Sequence, residues 1–326
     1  MRVLAALVTT SVALGQFLFQ PDPGQGPLYP IERDGKWGYM DRQGSPVIEP
    51  TFARAFPFYN GLAAVLVNGK VGFVDEHGAL RIRAQFDEAG EFSGKLTPVR
   101  LGRRWGFVDR SGRMVVEPQF QAAASFHDGL ARVLVWERLH CGEQEFTKDN
   151  ANEEEFSFEK GDFQPCWVPD PKHGYVDESG KLVVVPQYPY AADAADGLAL
   201  VRVGTGQEAR YGFIDHSGAF VIPAHFKWAE SFRESLAPVT LDKKWGYIDR
   251  SGTFVIPAEY DRAYGFQNGA AFVQRGTWLY IDRSGKTVRG PTTFPVPNFV
   301  NGVAIVRRGG HSVYIDSTGR EIGRRD

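Results

Sequence analysis

The sequence predicts an all-β protein built from tandem repeats, and two observations carry this prediction. One eight-residue motif recurs along the 326-residue chain, in its fullest form as WGFVDRSG from Trp105 to Gly112. Glycine and proline are also abundant, at 37 and 20 residues, which is typical of many short strands joined by turns. Near-copies of the motif begin at Trp37, Val71, Trp105, His173, Tyr211, Trp245, Trp278 and Ser312.

Most copies are 34 residues apart, as from Asp75 to Asp109. Helical repeat arrays can share this period, so the period alone does not decide the fold. The local pattern does, because Trp105, Phe107 and Asp109 alternate with small or aliphatic residues and so fall on one face of a strand. The motif therefore predicts a strand that ends in a hairpin turn.

Each repeat is predicted to be a three-stranded antiparallel meander followed by an irregular connector. A second strand rich in β-branched residues ends at a proline such as Pro118, and a third strand such as Leu62 to Val67 runs into Asn68-Gly69, a strong hairpin signal. About seven repeats, plus a cap from Val303 to Gly323, are predicted to form an open, solenoid-like array. The alternative arrangement is a closed, propeller-like ring.

An aspartate ends the first strand of every copy, and a glycine follows three residues later. Calcium loops need several oxygen ligands close together, and glycosidases need one special pair of carboxylates, so neither explains one aspartate per repeat. Capping of a tight turn explains all of them at once. We therefore predict a turn-shaping role for Asp41, Asp75, Asp109, Asp177, Asp215, Asp249, Asp282 and Asp316.

The aromatic residue that begins the motif recurs at the same inward-facing position. It could belong to a ligand-binding platform, but repetition at one inward position favours a ladder of core side chains. The residues predicted to form this repeat core are Trp37, Trp105, Tyr211, Trp245 and Trp278.

Residues 1–27 have the features of a signal peptide and a spacer rich in proline and glycine. Arg2 precedes an apolar run from Val3 to Leu14, and small residues around Gly15 suit a signal peptidase. An extracytoplasmic location, periplasmic or secreted, is expected, with no membrane span after cleavage. The alternative is an uncleaved N-terminus that anchors the chain in a membrane, although its apolar run is short for a span.

The repeat array, residues 28–326, is interrupted by an insertion at 136–172. In an exported chain, its two cysteines, Cys141 and Cys166, are expected to form a disulfide that staples the insertion into a loop. A reduced pair and a fragment of a metal site are the alternatives. The insertion also carries acidic and aromatic residues that are candidate partner contacts: Glu153, Glu154, Glu155, Phe156 and Phe158.

The motif resembles the WG repeat family, also called KWG repeats. Lys36-Trp37-Gly38 and Lys244-Trp245-Gly246 match its name-giving residues, and the longer pattern extends over nearly all of Leu28 to Gly323. The copy that begins at Ser312 departs from the pattern and is interpreted as a cap. The resemblance implies a β-rich repeat array, commonly bacterial, which is usually presumed to bind other molecules. It implies no catalytic motif.

These observations predict an exported, non-enzymatic scaffold that binds a protein or a surface glycan. Charge is nearly balanced and no basic tract is present, so nucleic acid is not an expected partner, and a monomer is expected. No catalytic, cofactor-binding or metal-binding residue is assigned, and no cofactor is expected. The competing hypotheses are a carbohydrate-active or other hydrolase with a site in a central channel, and a structural spacer at the cell surface.

Overall fold

The computed structural model describes residues 26–136, 140–141, 144–145, 171–289, 303–308, 311–316 and 320–325. These residues form antiparallel β-strands, and the helical structure among them is a single 3-10 turn at Gly206–Glu208. No helix in the described part of the chain is long and apolar enough to cross a membrane. The chain divides into a first compact unit, with residues drawn from 1–100, 108–113 and 291–326, and a second, from 101–107 and 114–290.

The strands are short and follow one another closely. Those before the insertion are β1 (Tyr29–Arg33), β2 (Lys36–Met40), β3 (Pro46–Phe52), β4 (Arg54–Tyr59), β5 (Leu62–Val67), β6 (Lys70–Val74), β7 (Leu80–Phe86), β8 (Glu88–Ala89), β9 (Leu96–Leu101), β10 (Arg104–Asp109), β11 (Met114–Phe120), β12 (Ala122–His127) and β13 (Leu130–Trp136). Next come β14 (His140–Cys141), β15 (Gln144–Glu145), β16 (Pro171–Asp177), β17 (Leu182–Tyr188), β18 (Tyr190–Ala191), β19 (Ala199–Val203), β20 (Arg210–Ile214) and β21 (Phe220–Phe226). The last are β22 (Trp228–Ala229), β23 (Ala237–Thr240), β24 (Trp245–Ile248), β25 (Phe254–Tyr260), β26 (Arg262–Ala263), β27 (Ala270–Arg275), β28 (Thr277–Asp282), β29 (Thr287–Arg289), β30 (Val303–Arg308), β31 (His311–Asp316) and β32 (Glu321–Arg325).

Consecutive strands pair side by side, so every sheet is a meander. The first unit contains the sheets β1–β3, β4–β7 and β30–β32. The second contains β12-β13-β16-β17, β18–β21, β22–β25 and β26–β29, together with the small hairpin β14–β15. Strands β8–β11 contribute residues to both units. The all-β fold and the tandem antiparallel sheets predicted from the sequence are confirmed.

Each complete sheet has a fourth strand that the sequence did not reveal. The extra strand is formed by the connector, whose backbone pairs with the third strand of its own repeat, as Arg54 pairs with Leu66 and Ala55 with Val65. The first and second strands of the next repeat complete the sheet. The connector is thus hydrogen-bonded rather than irregular, because its backbone groups pair with the free edge of that third strand.

The deepest core residue of the motif lies two positions after the tryptophan. Tyr39, Phe107 and Tyr247 are at most 1% exposed, as are most of their equivalents in the other sheets; Tyr280, which is partly buried, is the exception. The aromatic residues predicted to form the repeat core differ in burial. Trp37 and Tyr211 are buried, whereas Trp105, Trp245 and Trp278 are only partly buried. Position along the strand does not account for this difference, because Trp37 and Trp105 are both second in their strands.

The glycine of the Trp-Gly pair marks a close approach between two backbones. The pairing of β24 with β25 shifts register between Trp245 and Tyr247, on either side of Gly246. A Cβ atom on Gly246 would lie 2.6 Å from the carbonyl oxygen of Ile256. Only glycine fits beneath this irregularity, which explains why the motif requires it.

The first and last described sheets pack against each other within the first unit. Tyr29, Ile31 and Met40 share a buried cluster with Val303 and Tyr314, and the two tyrosine rings are 5.9 Å apart. The two ends of the described repeat array are therefore in contact. The sequence could not show this, because the contacting residues are far apart in the chain.

Candidate functional site

The recurring aspartate organises the hairpin turn that follows it. In the fullest copy, Asp109 Oδ1 accepts hydrogen bonds from the backbone nitrogens of Ser111, at 2.9 Å, and Arg113, at 3.1 Å. The backbone nitrogen of Gly112 donates to the carbonyl oxygen of Asp109. The Ser111 hydroxyl donates to the same carboxylate and lowers the pKa of Asp109 to about 2. The oxygens of this carboxylate are thus already used as hydrogen-bond acceptors within their own turn.

The same geometry recurs in the other described turns. The carboxylates that accept two backbone hydrogen bonds in this way are Asp41, Asp75, Asp109, Asp177, Asp215, Asp249 and Asp282. Asp316 ends β31, and the turn that follows it lies outside the described residues. These aspartates belong to separate hairpins, and within the described part of the chain no group of three or more acidic, histidine or cysteine side chains is arranged to hold a metal.

The insertion extends from the end of a continuous hairpin. Strands β13 and β16 stay paired up to Trp136 and Pro171, where other repeats have a two-residue turn such as Asn68-Gly69. Cys141 lies in β14, but Cys166 lies outside the described residues, so the predicted disulfide stays a prediction. The candidate partner contacts also lie outside the described residues: Glu153, Glu154, Glu155, Phe156 and Phe158.

The hairpin that carries the insertion also carries two residues that break the repeat pattern. Arg132 occupies the middle of the third strand, and His173 occupies the tryptophan position. The residues at the position of Arg132 in the other described third strands are apolar: Ala64, Pro98, Leu200, Pro238, Phe272 and Ile305. A charged side chain thus stands in place of an apolar one near the root of the insertion, which is the end of the hairpin at Trp136 and Pro171.

Arg132 lies between His173 and the carboxylate of Asp193, which comes from the segment between β18 and β19. Arg132 Nε is 3.1 Å from Asp193 Oδ1, and the side chains are 30% and 40% exposed. His127 Nε2 is 4.0 Å from the other oxygen of Asp193. Arg132 Nη1 lies 3.4 Å from His173 Nδ1. We call His127, Arg132, His173 and Asp193 the polar cluster.

The environment of His173 keeps its imidazole neutral. Burial, followed by the charges of Arg132 and Arg202, lowers the pKa of His173 to about 4. A guanidinium group can only donate hydrogen bonds, so Nδ1 of His173 accepts from Arg132 and the ring proton lies on Nε2. His173 therefore presents an N–H donor and is a weak base at neutral pH.

Arg202 extends this positively charged region along the neighbouring sheet. It lies opposite Tyr190 on β18 and Tyr211 on β20. Its Nε atom is buried and has no hydrogen-bond partner among the described residues. The ring of Tyr211 is 6.0 Å from that of Tyr190 and stacks at 5.7 Å on Trp228, which is 58% exposed. We call Tyr190, Tyr211 and Trp228 the aromatic row.

The polar cluster and the aromatic row are the functional candidates that sequence reasoning missed. Arg132 and His173 each deviate from the repeat pattern, and aligning the copies position by position could have revealed both. Their convergence with Asp193 could not have been seen, because 61 residues separate Arg132 from Asp193.

A concave region lies in the first unit. It has a volume of about 470 Å³ and is lined by Gly61, Leu62, Asp75, Glu76, His77, Arg81 and Arg110. The Asp75 carboxylate accepts hydrogen bonds from the backbone of its own turn and pairs with Arg81 Nε at 2.6 Å. Arg110 donates a hydrogen bond to the carbonyl oxygen of Asn60. The polar cluster is the stronger candidate, because Arg132 and His173 break the repeat pattern there.

Comparison with solved structures agrees with an all-β repeat fold. A eukaryotic initiation factor matches with a TM-score of 0.51 and 10% identity, over 93% of this chain and 86% of that one. Two enzymes match less well. They are a dihydro-heme d1 dehydrogenase (TM-score 0.43, 13% identity, 94% and 74% coverage) and dipeptidyl peptidase 4 of Porphyromonas gingivalis (0.45, 9%, 98% and 62%). The first match shows a shared fold only, and the other two support no conclusion. No curated protein sequence matches the chain.

The fold and its repeated hairpins define a β-rich repeat protein made of consecutive meander sheets. The family model of the WG containing repeat matches six segments, which together span more than half of the chain: 37–70, 72–104, 105–135, 174–204, 211–245 and 245–276. The chain belongs to the WG containing repeat family, as its motif predicted.

Proposed function

We propose that this chain is an exported, non-enzymatic binding scaffold whose specific site is the polar cluster. One observation carries the proposal: Arg132, His173 and Asp193 converge at the root of the insertion, where the repeat pattern is broken. Regular repeats supply a rigid support, and a singular polar site on such a support is suited to selective binding.

The chemistry of the polar cluster favours binding over catalysis. The Asp193 carboxylate already pairs with Arg132, and His173 accepts a hydrogen bond from the same arginine. Because the pKa of His173 is lowered to about 4, its imidazole is poorly matched to proton transfer near neutral pH. These side chains are suited to hold a ligand by hydrogen bonds and charge.

The test is the capture of ligands by the purified mature chain, on glycan arrays and from culture medium. An Arg132→Ala/Asp193→Ala variant and a chain lacking residues 142–165 should each lose ligands that the wild type retains. The matched control is Arg275→Ala/Glu259→Ala, which removes an exposed ion pair of 2.8 Å elsewhere in the second unit. Identical ligands for wild type and the cluster variant would contradict the proposal.

Export is a separate element of the proposal, supported by the apolar run from Val3 to Leu14 after Arg2. It predicts that the chain recovered from the producing cell is extracytoplasmic and begins near Gln16. N-terminal sequencing of the fractionated protein measures both. A chain that retains Met1 and stays in the cytoplasm would contradict export without affecting the proposed binding site.

A hydrolase remains the second candidate, because burial raises the pKa of Glu230 above its ordinary value. Glu230 lies near Tyr190, beside the aromatic row, and a protonated carboxyl group can serve as a general acid. Mass spectrometry of captured glycans after incubation with the chain distinguishes the two functions. Cleavage that is lost in Glu230→Gln would support the hydrolase and refute a purely binding role.

A further inference from the structure

Arg202 lacks the carboxylate partner that its counterpart in an earlier repeat possesses. Arg100 stands at the same position of its third strand, opposite Glu88, and its Nη2 is 2.7 Å from Glu88 Oε1. Opposite Arg202 stands Tyr190 instead. The Arg202 Nε atom is buried and unpartnered among the described residues. Arg202 is partly exposed as a residue and has no carboxylate partner among the described residues, so its charge is available to an anion supplied from outside.

The surroundings of Arg202 indicate what kind of molecule carries that anion. Arg202 lies between Tyr190 and Tyr211, and the aromatic row continues from Tyr211 to the exposed indole of Trp228. An exposed aromatic row beside a guanidinium group suits a ligand that has an apolar face, as a sugar ring has, and an anionic group.

We propose that Arg202 and the aromatic row bind an acidic saccharide, with its carboxylate on Arg202 and its sugar ring against Tyr211 and Trp228. A neutral sugar would leave Arg202 unpaired, whereas a bare oxyanion would pair with Arg202 and leave the aromatic row unused. The proposal rests on the proposed binding function and names the ligand class for the region beside the polar cluster.

Isothermal titration of the full mature chain with glucuronate, glucose, acetate and inorganic phosphate tests the proposal. Glucuronate should bind at least about 10-fold more tightly than glucose, acetate or phosphate, because only it uses both Arg202 and the aromatic row. Arg202→Gln should weaken glucuronate binding by about 10- to 100-fold, as expected for one charged hydrogen bond. Trp228→Ala should weaken glucuronate binding, and acetate should not become the preferred ligand.

Arg100→Gln is the matched control, since it removes an arginine from the equivalent position where Glu88 already pairs with it. It should leave glucuronate affinity unchanged. Arg202→Lys keeps the charge and should retain part of the affinity, and melting curves verify that each variant folds.

Four results would overturn the proposal. Absence of glucuronate binding to wild type, or equal losses in Arg202→Gln and Arg100→Gln, would remove Arg202 as the carboxylate partner. Glucose binding as tight as glucuronate binding would refute an acidic ligand. Acetate or phosphate binding as tight would refute a sugar. None of these results decides the proposed binding function, which the capture experiment with the Arg132 and Asp193 variant tests independently.

Discussion

Arg110 Nη2 donates a 2.8 Å hydrogen bond to the backbone carbonyl oxygen of Asn60, 50 residues earlier in the chain. Asn60 in turn donates from its side chain to the carbonyl oxygens of Phe92 and Ser93. The second unit repeats this arrangement: Arg283 donates to the carbonyl oxygen of Glu234, whose carboxylate accepts from the nitrogen of Gly269. Turns of different repeats are thus tied together by side chains at equivalent positions.

Removing Arg110 should loosen this connection between turns. Arg110→Ala loses the hydrogen bond to Asn60 and the stacking of the guanidinium over the ring of Phe92, 5.5 Å away. We expect the free energy of unfolding to fall by about 1–2 kcal/mol. Chemical denaturation measures the loss. Arg113→Ala, at a side chain that is 78% exposed, should change stability by less than about 0.5 kcal/mol.

The buried tyrosine hydroxyls should contribute measurably to stability. Tyr247 donates to the carbonyl oxygen of Tyr264 and Tyr39 to that of Phe56, both at 2.8 Å. Tyr247→Phe and Tyr39→Phe each leave a carbonyl without its donor, so each should lower the free energy of unfolding by about 1–2 kcal/mol. Calorimetry measures both. Unchanged stability in the two variants would show that water replaces the lost donor.

The Trp-Gly glycine should tolerate no side chain. A Cβ atom on Gly246 would stand 2.6 Å from the Ile256 carbonyl oxygen and 2.7 Å from the Ala258 nitrogen. Gly246→Ala is therefore expected to destabilise the chain by about 3 kcal/mol. Gly276→Ala serves as the control: it has positive φ but no atom within 4 Å, and it should cost about 1 kcal/mol. A smaller loss in Gly246→Ala than in Gly276→Ala would disprove the close approach.

Stability should fall in acid because of the turn aspartates. Hydrogen bonds from the Ser111 hydroxyl and from the backbone lower the pKa of Asp109 to about 2, and similar hydrogen bonds lower the pKa of Asp177 and Asp249. A carboxyl group with a lowered pKa in the folded state stabilises the fold above its unfolded pKa near 4. That contribution is lost as the pH falls from about 4 towards 2.

The measurement is the melting temperature of wild type and Asp109→Asn between pH 7 and pH 2. Wild type should lose stability below about pH 4, and the variant should start lower and lose less over the same interval. Parallel profiles for wild type and Asp109→Asn would exclude a contribution from this turn.

The sequence predicted what each repeat can encode by itself. The alternation of residues, the hairpin glycines and the aspartates are local signals, and they correctly indicated antiparallel sheets and the family. The fourth strand was missed because the connector before Leu62 lacks a strong strand pattern, and its pairing depends on the edge of β5. Trp105 is only partly buried, and the motif does not distinguish it from the buried Trp37.

The polar cluster could not be predicted for a different reason. Arg132 and His173 lie 41 residues apart on the paired strands β13 and β16, and Asp193 comes from the segment between β18 and β19, so only the folded chain brings the three together. Arg202 is similar. Its missing carboxylate becomes visible only when the register shows that Tyr190 stands where Glu88 stands in an earlier sheet.

The connector strand described above places the boundary of the duplicated sequence segment in the middle of a sheet. In β4–β7, two strands come from one repeat and two from the next. A single excised repeat therefore carries two half-sheets that cannot pair as they do in the chain. Duplication or loss of one whole period inside the array rejoins complete sheets, whereas a fragment cut at a repeat boundary exposes an unpaired edge that favours self-association. The array can thus lengthen or shorten in evolution only in whole periods.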